Sequence, residues 1–436
     1  MTNGRVRIQM YNVGFGDCFL VTIAGKVRSH RILFDCGRHA GSRPPAKGER
    51  TFEEVVAGLI EDLKAESPNG TPWLDVIVLT HRHRDHIHGF RYKNLWKQVD
   101  VKEVWMPWVE DPQNPTAKAL VANQEKAALR TLFMLRALKA SGTVDNLDEA
   151  IDIIHNSTAN PEAMETLRSG FANPVKLRYL PRQAREPDVL NADELRDVLP
   201  DDVIVHVLGP SRDPKVIRRL DPPDDKVYEK IIPADAAFKL DMDDGELPDR
   251  AGTEALPWPF DETWKLEGNG TFDPDDVLAA KVMAESSSES PLAATYRVDN
   301  ALNGTSLVLL VQIGDYKLLF PGDAQWGTWE LMLTNHDTKA LLTGVNVYKV
   351  GHHGSHNATP REFVDDCLTN PMTHALISVD ETNYDGGWRQ IPLTTLVTAM
   401  QQKQISVQQS NPTRNAVVEG IVLGTPTGAP IEVILP

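Results

Sequence analysis

Residues 80–89 read THRHRDHIHG, and they follow the run LDVIVLT at 74–80. A nearly unbroken apolar run this short is expected of a strand buried on both faces. Such a strand needs a layer of structure on each side, which points to a mixed α/β architecture. What it delivers at its end is four histidines and an aspartate within ten positions. In an extended segment, side chains at i and i+2 point the same way. His81 and His83 can therefore share one metal ion, and Asp85 and His86 stand at the turn beyond, placed to hold a second. Neutral imidazole and carboxylate are ligands suited to zinc or manganese.

The surrounding chain is organised around this strand. RIQMYNV, CFLVTIA and RILFDCG read as short strands, with the turn GFGD between the first two, and TFEEVVAGLIEDLKA carries helical periodicity up to the breaker SPNG. NPTAKALVANQEKAALRTLFMLRALKASG reads as one long helix, with Asn114 as cap, Pro115 in the first turn and Gly142 as stop. A second helical pattern follows near NLDEAIDIIHN, and DVIVHVLGP returns to strand. The expected division is 1–100 and 300–436 as two halves of a layered core, 201–210 as a core strand, 101–200 as a helical insertion, and 211–299 as an acidic, loop-rich insertion or lid. Within that last stretch DMDDGELPD fails the calcium-loop pattern, because required acidic positions fall on Leu240 and Met242. Trp258 and Trp264 read as packing residues.

Two later strand ends carry matching chemistry. LLFPGDA places Asp323 at a Gly-Asp turn, where a carboxylate can bridge two ions, and VNVYKVGHHGSHN ends in His352, His353, Ser355 and His356. Asp17 and Asp35, each at a strand end, are candidates for the carboxylates that ligating histidines hydrogen-bond with their second nitrogen. Gly14 and Gly16 would let backbone approach the histidine run closely, and Thr80 can pin it. His88, Ser355 and His356 are candidate pocket residues. Lys349 reads as a solvated lysine or as a contact for an anionic substrate. His30, His39, His155, His206, His336 and His374 carry no functional reading.

HRHRDH resembles the HxHxDH signature of the metallo-β-lactamase superfamily. NVGFGDCFLV, ILFDCG, NGTSLVLLV, LLFPGDA and YKVGHHGSHN then occur in the order seen in one branch, which holds the hydrolase domain of the bacterial competence (DNA-uptake) channel and phosphorylcholine esterase. The resemblance covers about residues 6–100 and 300–380. It implies a four-layer αβ/βα sandwich with two divalent metal ions. His81 and His83 would hold the first, Asp85 and His86 the second, and Asp323 would bridge them. One of His352 and His353 would complete the shell, with His352 the slight preference, while the other would face the substrate and give a proton or hydrogen bond. Asp85 and the second of these histidines are the catalytic candidates. Two departures accompany the match. NALNGTSLV carries no further histidine, an absence the branch shares, and ETNYDGGWRQIP lacks a late histidine that the branch tends to have, which leaves Asp385 as a substitute or the first ion weakly held.

In that superfamily the ions hold a bridging hydroxide that attacks carbon or phosphorus. The branch implies a phosphodiesterase or nuclease acting on a nucleic acid or nucleotide-like diester. The alternatives are hydrolysis of carbon esters, lactones or thioesters, and a catalytically silent metal-binding protein whose insertion meets a protein partner. A formal net charge of -16 repels long polyanions. A local basic groove from Arg82, Arg84, Arg91 and Lys93 would offset it. Three cysteines without CxxC spacing suit a reducing compartment. The start lacks the apolar core of a signal peptide, and the run SLVLLVQIG is too short to span a bilayer, so the expectation is a soluble, cytoplasmic protein without membrane contact.

Overall fold

The fold is seen in a computed structural model that describes residues 5–42, 45, 50–141, 147–158, 160–183, 187–228, 291–379, 391–410, 421–423 and 431–435. Most of the 211–299 segment, including the acidic loop, Trp258 and Trp264, lies outside the described residues, as do Gly142 and Asp385.

Fifteen strands among the described residues form two mixed sheets. The first contains β1 (Val6–Met10), β2 (Phe19–Ala24), β3 (Ser29–Phe34), β4 (Trp73–Val78), β5 (Asp100–Pro107), β6 (Lys176–Leu180) and β15 (Ile431–Leu435), in the order β15-β1-β2-β3-β4-β5-β6. The second contains β7 (Asp188–Leu190), β8 (Val203–Gly209), β9 (Val308–Ile313), β10 (Tyr316–Phe320), β11 (Val347–Lys349), β12 (His374–Ile377), β13 (Ser406–Gln409) and β14 (Ile421–Leu423), in the order β14-β13-β12-β11-β10-β9-β8-β7. Each sheet is antiparallel at one side and parallel at the other; β4 lies between parallel neighbours β3 and β5, and β11 between parallel neighbours β10 and β12.

Alternation decides the layers. Val6, Ile8, Met10, Phe19, Val21, Ile23, Ile32 and Phe34 from the first sheet share one core with Val205, Val207, Leu309, Val311, Leu318 and Phe320 from the second, so the sheets pack face to face. Phe34 and Phe320 stack across that interface with centroids 3.8 Å apart. Leu20, Leu33 and Ile77 face outward against α1 (Phe52–Ala65), which begins at a Thr51–Glu54 capping box. Leu310 and Leu319 face outward on the other side, against Trp326, Trp329, Leu396 and Met400. Helices thus cover both outer faces of a two-sheet sandwich.

Further helices are α2 (Pro115–Ser141), α3 (Asp148–Ser157), α4 (Pro161–Ser169) and α5 (Pro291–Asn303). Met134, Leu135, Leu138, Ala150, Ile154 and Val298 join α2, α3 and α5 into a small core of their own.

The expected division of the chain is corrected in three places. The 101–200 segment is helical only in its middle, because β5 and β6 at its ends belong to the first sheet and β7 to the second. VKEVWMP hides as a strand because it carries Glu103. That carboxylate is buried, where it accepts from Lys176 Nζ at 2.8 Å, Arg178 Nε at 2.5 Å and Trp105 Nε1 at 2.8 Å. The final strand does not stay with the second half but returns to pair antiparallel with β1, Val6 opposite Leu435. The stretch just before residue 300, from Pro291 onward, is helical and not loop.

Candidate metal centre

The C-terminal ends of β3, β4, β10 and β11 meet at one edge of the sandwich, the place where parallel strands present ligand-binding loops. β3 supplies Asp35, β4 supplies Thr80 and the histidine run, β10 supplies Asp323 after a turn at Gly322, and β11 supplies Lys349 and His352–His353. The histidine loop is clamped by backbone hydrogen bonds from Asp17 N to Asp85 O at 2.9 Å, Cys36 N to His86 O at 2.8 Å and Leu307 N to Thr80 O at 2.8 Å. Gly37 permits this contact: a Cβ there would lie 2.1 Å from the Asp85 carbonyl carbon. Asp35, His352 and His353 all adopt left-handed backbone, with φ of 53°, 44° and 54°. Strain of this kind costs about 1–3 kcal/mol per residue and clusters at functional sites.

Asp85, His86, Asp323 and His353 each offer a ligand atom, and these atoms all lie within 4.8 Å of one another in buried surroundings. Asp17, Asp35 and His86 form a second such group. His86 presents Nε2 to Asp323 Oδ2 at 3.2 Å while Nδ1 meets Asp35 Oδ2 at 2.8 Å. Asp35 also accepts from Thr80 N at 2.8 Å and Thr80 Oγ1 at 2.6 Å, so both expected roles, the carboxylate behind a histidine and the pin of the loop, fall on residues in contact. His353 Nδ1 faces the Ser378 carbonyl, which only accepts, so Nδ1 carries the hydrogen and Nε2 faces Asp85 Oδ2 at 3.4 Å.

His81 and His83 converge as the i, i+2 spacing implies, with His81 Nε2 2.9 Å from His83 Nδ1. His81 Nδ1 lies 3.1 Å from Thr80 Oγ1, whose hydrogen goes to Asp35, so this nitrogen donates. His83 Nε2 lies 3.1 Å from Ser157 Oγ, whose hydrogen has acceptors in Asp299 and the Ile153 carbonyl, so it donates too. Both facing nitrogens are therefore acceptors, and two acceptors at this distance repel unless a cation or proton lies between them.

The electrostatics make the same point. Burial alone pushes the Asp85 carboxyl up, yet the His86 imidazole holds it well below the usual range. Burial does the same to Asp323, and Lys349 and His86 pull it well below. His86 loses solvation, but Asp323, Asp85, Asp35 and Asp17 raise it well above an ordinary histidine. Burial leaves His81 well below and holds His83 at about 4. Asp17, Asp35, Asp85 and Asp323 are all buried, and Asp17 Oδ1 has no hydrogen-bond partner. Buried carboxylates need compensating charge. A divalent ion fits this nitrogen and oxygen donor set.

Several expected residues land elsewhere. His353, not the favoured His352, joins the ligand group. His352 instead donates its backbone N–H to Asp323 Oδ1 at 3.0 Å and turns Nδ1 to Asn357 Oδ1 at 3.3 Å. Lys349 is neither solvated nor open to substrate. It is buried between Asp17 Oδ2 at 2.5 Å and Asp323 Oδ1 at 3.1 Å. His88 is not in either ligand group; it stacks on Phe52 at 5.5 Å with Nε2 3.0 Å from Arg91. Ser355 is buried and donates to Asn357 Oδ1 at 3.1 Å, and His356 is half-buried. The expected basic groove is neutralised in part: Arg82 pairs with Glu110 at 2.6 Å and Glu125 at 2.9 Å, Lys93 with Glu165 at 2.7 Å and Arg91 with Glu162 at 4.0 Å, while Arg84 has Arg91 and Arg38 as like-charged neighbours.

Residues from the helical segments enter the site unannounced. Asn156 on α3 donates to Asp85 Oδ1 at 2.9 Å and accepts from Asp85 N at 3.2 Å. Ser157 stands beside it, and Asp299 on α5 lies 3.4 Å from His83 Nε2. Burial, reinforced by Asp85, raises Asp299 to about 8. His39, given no role from sequence, is buried near the centre, its ring edge-on to Phe15, which in turn lies 4.2 Å from His353; burial holds it at about 4. No short motif marks these four positions.

No family model matches the chain, and no curated protein matches it. Among the described residues, no helix is long and apolar enough to cross a membrane.

Proposed function

We propose that this chain is a metal-dependent hydrolase of the metallo-β-lactamase type, with phosphodiesters as its substrates. The observation that carries the reading is the meeting of Asp85, His86, Asp323 and His353, from the strand ends of two sheets, within 4.8 Å. The order of motifs along the chain supports the same assignment. His81 and His83 are the residues that would hold a first divalent ion, and Asp85, His86, His353 and Asp323 a second. When bound, zinc or manganese ions supply Lewis acidity and make water acidic enough to ionise near neutral pH.

The chain's own residues prepare that chemistry. Asp35 takes the His86 Nδ1 hydrogen and the Thr80 hydroxyl hydrogen, which leaves His86 Nε2 and His81 Nε2 as lone pairs facing inward. The Ser378 carbonyl does the same for His353. Asn156 holds the Asp85 carboxylate in one orientation from both sides of its amide. Lys349 anchors Asp323 and offsets part of the carboxylate charge. Asn357 donates its Nδ2 to Gln325 Oε1 at 2.8 Å, so its Oδ1 accepts and the His352 ring holds its hydrogen on Nδ1. His352 Nε2 is then the nitrogen assigned to exchange a proton with a substrate oxygen.

The net charge and the pairing of Arg82 with Glu110 and Glu125 favour a small diester over long nucleic acid. The test is hydrolysis of bis(p-nitrophenyl) phosphate by chelator-stripped protein with zinc or manganese restored, comparing wild type with Asp323→Asn. A metal-dependent rate that falls to background in the variant is the expected result. Folded, metal-loaded wild type without a rate, but active on a lactone or thioester, would overturn the phosphodiester assignment while keeping the hydrolase.

A further inference from the structure

The helical insertion does more than decorate the sandwich. His81 is oriented by a relay in which its Nδ1–H meets Thr80 Oγ1 and the Thr80 hydroxyl donates to Asp35. A second relay of the same form runs from His83 Nε2 to Ser157 Oγ at 3.1 Å, and from Ser157 Oγ to Asp299 Oδ1 at 3.2 Å. Asp299 Oδ2 accepts from Asn303 Nδ2 at 3.2 Å, so the carboxylate is fixed on both oxygens. Asp299 is 5% exposed and Ser157 4%. The partners of Asp299 named here are neutral or are the histidine itself. A buried carboxyl group so placed has the arrangement of an outer partner that fixes a ligating histidine's tautomer and orientation.

We propose that Asp299, acting through Ser157, is the positioning residue that keeps the hydrogen of His83 on Nε2 and aims Nδ1 at a first divalent ion shared with His81. The inserted helices α3 and α5 are then a built part of the metal centre, with Asn156 fixing Asp85 from the neighbouring position. The inference rests on the reading of His81 and His83 as ligands. It gives α3 and α5 a chemical purpose, since each supplies one member of the relay behind His83.

The test is zinc affinity, read by competition with a chromophoric chelator on metal-stripped full-length protein, for wild type, Asp299→Asn and Ser157→Ala, with the cobalt(II) absorption spectrum as a signature of ligand geometry. The expected result is two ions in wild type and a first-ion affinity about 10–100-fold weaker in each variant, with an altered cobalt spectrum and a metal-free melting temperature no lower in Asp299→Asn. A merely structural role would lower the metal-free melting temperature and leave the affinity of the folded fraction unchanged, which would overturn the proposal. Ser157→Ala keeps the question open to refutation should Asp299→Asn fail to fold. Wild type that binds one ion, with unchanged affinity in both variants, also overturns the inference but not the hydrolase reading. Wild type that binds no zinc or cobalt overturns both.

Discussion

The two ends of β4 hold buried carboxylates on opposite terms. Near its start, Asp75 is fully buried and accepts from Arg28 Nη2 at 2.5 Å, Arg28 Nη1 at 3.0 Å and Arg31 N at 3.0 Å, with Lys102 Nζ at 3.1 Å. Its charge is matched by cations the chain itself provides. Past its other end, Asp17, Asp35, Asp85 and Asp323 gather around His86, and the lysine among them, Lys349, is already shared by two of the four. The first end is complete with permanent cations; at the second, a surplus of carboxylates over the single lysine is met only by protons on histidine, His86 being held well above its ordinary range. A buried carboxylate is therefore no sign of a site by itself. What distinguishes a site is a surplus that the fold leaves for a ligand to balance.

The largest expected effect lies at the surplus end. Asp323→Asn should lower metal-dependent hydrolysis by more than about 100-fold, beyond the range seen for outer partners of metal ligands, and, because Lys349 and His86 hold this carboxyl well below the usual range without an ion, its metal-free form should also melt lower at neutral pH. A lower melting temperature with hydrolysis and metal content unchanged would mean that Asp323 is structural like Asp75. Next, His353→Ala should lose bound metal, whereas His352→Ala should keep its metal, counted by elemental analysis, and lose turnover. Equal metal loss in both would return His352 to the shell. Third, stripping the ions should destabilise the protein, and restoring zinc at about 100 times its Kd should return roughly 2.7 kcal/mol by mass action, read as a shift in the denaturation midpoint. A midpoint indifferent to chelator and zinc would erase the difference between the two ends. Smallest, Asp75→Asn should cost about 1–3 kcal/mol, the penalty for leaving buried donors poorly paired, with metal content unchanged. Altered metal content there would show that the ends are coupled.

Much of this centre is legible in the sequence because its chemistry is local. HRHRDH places four polar groups by short-range geometry alone, and Asp17, Asp35 and Asp323 each sit near glycines at strand ends. The choice between His352 and His353 is not legible there. Both residues share a left-handed turn, and the deciding partner, the Ser378 carbonyl, lies 25 residues on. Asn156, Ser157 and Asp299 escape a sequence reading because nothing near them repeats a ligand spacing; Ser157 and Asp299 meet across 142 residues. β5 escapes it for the opposite reason. Glu103 looks like a solvent-facing residue until Lys176 and Arg178 arrive from 73 and 75 residues away. His88 looks like a pocket residue because of its neighbours in sequence, but its ring has found Phe52. Local patterning names the chemistry, and distant packing assigns the roles.

The pairing of His86 with Asp323 spans 237 residues, and β1 reaches its partner β15 only at the far end of the chain. On a ribosome adding about 5–20 residues per second, roughly 10–50 s separate the two halves of the metal centre during synthesis. For that interval the histidine loop exists without Asp323, and β1 without one of its neighbours. The nascent chain can therefore carry half of the His/Asp cluster, but the complete cluster, and any ion it could hold, is a product of late assembly.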